Sequence, residues 1–136
     1  MNHSARVLAA RSAPLAAAYC DQLREMLGTT IVALRDGRQL DALTEFERAL
    51  DPMQKLLVFG VVVDSMLRDA QHPLRPSMKA FTQSLGAALE QAGGAVVERD
   101  FVEMHAVLAT CVLPTLERYA EFGPRLTSAL QPRLAG

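Results

Sequence analysis

The chain has 136 residues, which is enough for one domain with a core of its own and too few for two. Half of the residues are apolar and 21% are charged, a composition that excludes an intrinsically disordered chain. Fourteen basic and fifteen acidic residues leave a net charge of −1, without the basic excess that phosphate contacts require of a nucleic-acid-binding protein. We therefore expect no nucleic-acid partner.

A first helix is predicted over residues 12–35, after a flexible tail over residues 1–11. Ser12 is a typical helix N-cap, and Pro14 is tolerated in a first helical turn. The apolar stripe of this helix, at spacings of three and four, comprises Leu15, Tyr19, Leu23, Met26, Thr30 and Leu34. The "RDG" that follows is a helix stop, because a basic last turn precedes a glycine.

A second helix is predicted over residues 39–70, and the "QHPLRP" that follows ends it with two prolines. Its heptad stripe comprises Leu43, Phe46, Leu50, Met53, Leu57, Gly60, Asp64 and Leu67. The stripe keeps its phase across Pro52, which predicts either one helix that is bent at this residue or two short coaxial helices, the second capped by Asp51. Glycine inside a helix costs about 1 kcal/mol relative to alanine, so Gly60 indicates either a close approach of a neighbouring helix, which we favour, or a groove.

A third helix is predicted over residues 76–92, ended by Gly93 and Gly94. A fourth is predicted over residues 99–130, with Pro114 inside it. Its wide stripe comprises Phe101, Met104, Leu108, Cys111 or Val112, Thr115 or Leu116, Tyr119, Phe122 and Leu126. Because this stripe continues on both sides of the proline, we expect a kink rather than a helix end.

Four amphipathic segments with short connections predict an all-α, single-domain four-helix bundle over residues 12–131. The simplest arrangement is up-down-up-down, with proline-kinked second and fourth helices. A fully buried Leu or Phe contributes about 1.5–3 kcal/mol, so burial of the four stripes is ample to drive folding.

Asp64 is the least expected residue of the second stripe, because it occupies a core position directly after "LLVFGVVV". A buried carboxylate is costly unless it is paired or hydrogen-bonded. One interpretation makes Asp64 a ligand contact inside the bundle. The other pairs it with Arg68, four residues later on the same helix.

Four further residues are candidate ligand or partner contacts. His105 lies on the flank of the fourth stripe and Tyr119 lies within it, so either could join Asp64 as a polar contact in an apolar cavity. Met53 and Met104 carry flexible thioethers that suit a surface repacking around a partner helix, although core filling is the alternative. The sequence has no Glu-x-x-His, G-x-S-x-G or phosphate-loop motif. We therefore expect no metal, no cofactor, no catalytic residue and no enzymatic activity.

Location and membrane association are also addressed by the sequence. Arg11 and Pro14 interrupt the apolar core that a signal peptide requires. Cys20 and Cys111 are interpreted as small buried hydrophobic residues, which fits a reducing cytoplasm. The longest apolar run, "LLVFGVVV", is far short of a membrane span. We expect a cytoplasmic protein that does not insert into membranes.

The stretch "DFVEMHAVLATCVLPTLERY", with its Leu-Pro-x-Leu-Glu sequence, resembles the last helix of a family of small, uncharacterised bacterial helical-bundle proteins. "LRDGRQLDALTEFERAL" is similar to the second helix of that family. The family usually has an acidic-aromatic-acidic triplet before the proline region, where this chain has Ala109, Thr110 and Cys111. The resemblance implies a bundle and no enzymatic activity. A fold-level analogy extends to flagellar and secretion export chaperones, which wrap a helix of a partner.

The function that these observations favour is non-enzymatic protein–protein interaction, either as a homodimer or by binding a partner helix. Two alternatives stay open at this stage. One is an export chaperone, and the other is a bundle that binds a small molecule in an apolar cavity.

Overall fold

The computed structural model describes residues 3–131, with the side chains of residue 7 and of residues 9–131. The elements in chain order are α1 (His3–Arg35), α2 (Gln39–Asp69), α3 (Arg75–Val97), α4 (Phe101–Val107) and α5 (Leu113–Leu130), with a π-helical segment (Leu108–Val112) between the last two. Because α4, the π-helical segment and α5 are continuous, residues 3–131 form four helices, and no strand occurs among them. The predicted all-α four-helix bundle is confirmed.

The four helices surround one core. α1 packs against α2 on one side and against the fourth helix on the other, and α3 contacts the same two neighbours. Short connections join consecutive helices, over residues 36–38, 70–74 and 98–100. The up-down order and the bends at Pro52 and Pro114 stay predictions.

The first helix starts earlier than the sequence indicated. It begins at His3, and Ala9 belongs to the core with 1% of its surface exposed. Residues 3–11 of the predicted tail are therefore helical, which corrects that prediction, while residues 1 and 2 lie outside the described residues. Ser12 and Pro14 imitate a helix start, but the alanines before them favour helix and gain burial against the core.

The core face of α1 is built largely from small side chains. Its buried residues, spaced by three or four positions, include Ala9, Ala13, Ala16, Cys20, Leu23, Leu27 and Ile31. Leu15, which the sequence placed in the stripe, is 53% exposed, and Tyr19 is half-buried. The predicted stripe was wrong at these two positions because it followed the larger side chains, whereas the structure buries the smaller Ala16 and Cys20, each one position further along.

A similar correction applies to α2. Its buried residues are Ala42, Phe46, Ala49, Pro52, Met53, Leu56, Phe59, Gly60, Val63 and Leu67. At every second position of the predicted stripe, the buried residue is the one directly before the predicted residue. Val63 therefore lies in the core and Asp64 lies on its flank. α2 remains helical through Pro52.

Gly60 marks a close approach of α2 and α3, as predicted. A Cβ atom added at Gly60 would lie 3.0 Å from Thr82 Cγ2 and closer still to Thr82 Oγ1. Real Cβ atoms are not found at such distances, so the absence of a side chain at this position sets the spacing of the two helices.

Gly93 and Gly94 do not end α3, which continues to Val97 and corrects the predicted boundary. Ala92 and Ala95, on either side of the glycine pair, are buried in the core. Their burial holds the backbone in the helix and offsets the low helix propensity of two glycines.

The π-helical segment lies directly before Pro114. The N–H of Leu113 donates to the Leu108 carbonyl five residues back, which is the widened turn of a π-helix. Pro114 has no N–H to donate, and the next residue supplies an additional donor: the Thr115 hydroxyl donates to the Cys111 carbonyl at 2.7 Å. The widened turn therefore accommodates the proline inside one continuous helix.

Candidate functional site

Asp64 pairs across the turn between α2 and α3, not along its own helix. Its Oδ1 accepts from the Nε of Arg75 at 3.4 Å, and 26% of its side-chain surface is exposed. Arg68, the partner expected from the sequence, lies 4.0 Å from Asp69 instead. Asp64 is thus a half-buried carboxylate in an ion pair on the flank of the core, and it does not project into an apolar interior.

His105 connects the fourth helix to the end of α1. Its Nε2 accepts a hydrogen bond from the Nε of Arg35 at 3.3 Å, which requires the neutral imidazole. The side chain is half-buried. His105 therefore contributes a contact between two helices.

Tyr119 lies in the centre of the bundle with 2% of its surface exposed. Its ring centroid is 5.2 Å from that of Phe81 and 5.2 Å from that of Phe122, in tilted and edge-on orientations that favour attraction between rings. Its hydroxyl is buried and has no hydrogen-bond partner among the described residues. Burial raises the pKa of Tyr119, and the nearby Cys20 raises it further.

Met53 and Met104 are both fully buried. Neither thioether can contact a partner while the bundle is closed, so both fill the core, which was the alternative stated for them. Of the five candidate residues, Tyr119, Met53 and Met104 therefore share one core, whereas Asp64 and His105 are only partly buried. None of them lines the groove described next.

A groove of about 390 Å³ runs along the outside of the bundle between the first two helices. We call it the α1–α2 groove. From α1 it is lined by Ala9, Ser12, Leu15, Ala16 and Tyr19. From α2 it is lined by Asp51, Gln54, Lys55, Val58, Phe59 and Val62. Its volume lies within the range of about 300–1,000 Å³ that is usual for ligand sites.

The small side chains of α1 create this groove. Ala9, Ser12 and Ala16 leave space that larger residues would occupy, and Phe59 is 8% exposed beneath them. At the rim, Val58 is 65% exposed. The groove is thus an apolar concavity with a projecting valine on one side.

One end of the α1–α2 groove is polar. The Nζ of Lys55 lies 3.0 Å from Asp51 Oδ2 and 5.8 Å from the centre of the Tyr19 ring. The hydrogen bond and the charge of Asp51 raise the pKa of Lys55, with a smaller contribution from Tyr19. The lysine and the aspartate largely neutralise each other, so the groove has a polar end without a net charge.

Sequence reasoning missed the α1–α2 groove because it assigned Leu15 and Tyr19 to the core. The signal that reveals it is the series of small residues Ala9, Ala13, Ala16 and Cys20, whose spacing of four, three and four is that of a core stripe. Given that stripe, Leu15 must project outward.

The two cysteines differ in their environment. Cys20 is buried, as predicted, and burial raises its pKa from 9.0 to about 12, with Asp21 contributing further. Cys111 is exposed, which corrects the prediction that both are buried. It lies in the π-helical segment, and its Sγ is 3.6 Å from Thr110 Oγ1.

Among the side chains described within residues 3–131, no three of His, Cys, Asp or Glu are grouped so that they could hold a metal ion. Over the same range, no helix combines the length and apolarity needed to cross a bilayer.

No protein-family model, no curated protein and no solved structure matches this chain significantly. The resemblance to small bacterial helical-bundle proteins and the analogy with export chaperones therefore stay predictions. The fold and the α1–α2 groove are the basis for the functional proposal.

Proposed function

We propose that this protein is a non-enzymatic interaction protein that binds another protein through the α1–α2 groove. The observation that carries the proposal is the groove itself, an apolar concavity of about 390 Å³ beside exposed valines of α2. Val58 and Val61 are 65% and 66% exposed, one helical turn apart. Apolar concavities bordered by polar residues are typical of interaction sites on soluble proteins.

The pattern of exposure supports a protein partner. Val58, Val61 and Leu15 are large side chains that the fold leaves unburied on adjacent helices. Burying such a side chain in an interface contributes about 1.5–3 kcal/mol, which corresponds to a tenfold to hundredfold gain in affinity.

The test compares two glutamate substitutions at exposed valines. Val58→Glu places a charge on the rim of the groove, and Val102→Glu places the same charge on α4, where the valine is 83% exposed. Binding proteins are captured on immobilised protein from a lysate of the source cells, and self-association is measured by sedimentation equilibrium. We expect Val58→Glu to reduce the association at least about tenfold and Val102→Glu to preserve it.

Two results would contradict the proposal. One is a wild-type protein that does not self-associate and captures no partner whose binding is lost in Val58→Glu. The other is an equal loss for both variants, because that result would assign binding to a surface other than the α1–α2 groove. Circular dichroism of both variants establishes that each one is folded.

A further inference from the structure

The two sides of the α1–α2 groove present the spacing of a coiled-coil seam. Among the lining residues of α1, Ser12, Leu15 and Tyr19 are separated by three and four positions. Among those of α2, Asp51, Lys55, Val58 and Val62 are separated by four, three and four. Two adjacent helices with this periodicity form a row of holes that accepts the side chains of a third helix.

The length of the groove fits a short helix. Lining residues on α2 extend from Asp51 to Val62, which at 1.5 Å per residue is about 16 Å, or three helical turns. A helix of that length presents two or three large side chains on one face, at positions i, i+3 or i+4, and i+7.

The groove alone is smaller than a stable dimer interface. Eleven residues line it, whereas a standard interface uses about 20–30 residues on each side. A second copy of this chain would bring an equally wide bundle to a groove that offers only a few exposed apolar side chains. A single helix needs no wider surface.

The charges of the groove favour an occupant that binds through apolar anchors. Asp51 and Lys55 lie 3.0 Å apart and offset each other. Leu15, Val58 and Val62 are the larger aliphatic side chains of the two walls. An occupant therefore gains little from a net charge of its own, and its affinity should depend weakly on salt.

We propose that the occupant of the α1–α2 groove is a single amphipathic helix of a partner protein, anchored by two or three apolar side chains. This inference rests on the proposed function and specifies the kind of partner. The bound helix lies between α1 and α2 and completes a three-helix seam. Its anchors contact Leu15, Val58 and Val62, and its polar flank faces Asp51 and Lys55.

The experiment tests directly whether the α1–α2 groove binds an amphipathic helix. A displayed library of helical peptides about 18 residues long, randomised along one face, is panned on the wild-type protein, with the Val58→Glu variant as the counter-selection. Enriched peptides are then synthesised. Their affinities for the wild type, Val58→Glu and Val102→Glu are measured by fluorescence anisotropy at low and high salt.

We expect enriched peptides to carry apolar residues at helical spacing. They should bind Val58→Glu at least about tenfold more weakly than the wild type and Val102→Glu within about twofold. Their affinity should change less than about threefold between about 0.05 and 0.5 M salt. No enrichment, enrichment without helical spacing, or equal binding to both variants would overturn the inference.

Two other results separate this inference from the proposed function. A wild-type dimer that Val58→Glu converts into a monomer would overturn the helix as occupant and retain protein–protein interaction through the groove. Saturable binding of an apolar fluorescent dye that Val58→Glu abolishes, without any peptide or protein binding, would overturn both and assign the groove to small apolar ligands.

Discussion

Replacing Gly60 with alanine tests whether the spacing of α2 and α3 depends on a missing side chain. The added methyl group would meet Thr82, whose Cγ2 lies 3.0 Å and whose Cβ lies 3.2 Å from the position that the new Cβ atom would take. Thr82 can turn away only by giving up the hydrogen bond from its hydroxyl to the Met78 carbonyl, which is 3.0 Å long. Otherwise the two helices must separate.

Two opposing effects set the magnitude of this change. Overpacking of a core costs about 1–3 kcal/mol. Alanine in place of glycine inside a helix gains about 1 kcal/mol. The variant Gly60→Ala should therefore lose between about 0 and 2 kcal/mol of unfolding free energy. Gly28→Ala is the matched control, because a Cβ atom at Gly28 meets nothing within 4 Å.

The assay is urea unfolding followed by helical circular dichroism. Gly28→Ala should gain up to about 1 kcal/mol, so that the two variants differ by about 1–3 kcal/mol. In a Thr82→Ala background, Gly60→Ala should become less destabilising, since the atoms it meets first are gone. If Gly60→Ala stabilises the wild type as much as Gly28→Ala does, the close approach of α2 and α3 does not require glycine and the reasoning is refuted.

Three further predictions concern buried and paired groups. Tyr119→Phe removes a buried hydroxyl that has no hydrogen-bond partner among the described residues. Thermal unfolding should therefore show a stability that is unchanged or raised by up to about 1 kcal/mol. A loss of stability of that size would contradict the prediction. Cys20 has a raised pKa in the folded state, so the unfolded chain loses this proton first. The raised pKa of Cys20 therefore stabilises the folded state fully at pH values below 9.0. This stabilisation is lost as the pH rises toward about 12. The free energy of unfolding, measured by urea unfolding between about pH 8 and 11, should fall less steeply with pH in Cys20→Ala than in the wild type, and Cys111→Ala should behave like the wild type. Equal pH dependence in the two variants would contradict this assignment to Cys20. Asp64→Asn and Arg75→Gln should each lower the free energy of unfolding by about 0–1 kcal/mol, and by less in about 1 M salt. The double variant should lose no more than either single variant. Strictly additive losses would show that the two side chains are not coupled.

Local signals in the sequence were sufficient for the fold class and for several boundaries. The "RDG" motif places the end of α1 correctly at Arg35, and Gly37 adopts a φ of +75° in the turn, a conformation that glycine adopts without strain. The stripe of the fourth helix is largely correct because its core positions carry large apolar residues. The start of α1 was wrong because Ser12 and Pro14 carry a local signal that the burial of Ala9 overrides.

The candidate site was only partly accessible to sequence reasoning: the small-residue stripe of α1 indicates that Leu15 projects outward, but the site itself depends on contacts between helices. Arg75 reaches Asp64 only when α3 folds back beside α2, eleven residues along the chain. The α1–α2 groove exists because small residues of one helix face Val58 and Phe59 of another. Periodicity within one segment does not show which face a neighbour covers when small and large residues compete for the core.

Because Cys111 is exposed and Cys20 is buried, the folded protein has a single thiol that is accessible to labelling reagents. The exposed thiol at Cys111 lies within the widened turn before Pro114, whereas Cys20 is enclosed in the core. A fluorophore or spin label directed at thiols in the folded protein should therefore attach at one location without any substitution. Such a reporter would follow the local motion of the fourth helix, and with a second label beside the groove it would measure how the helices rearrange when a partner binds.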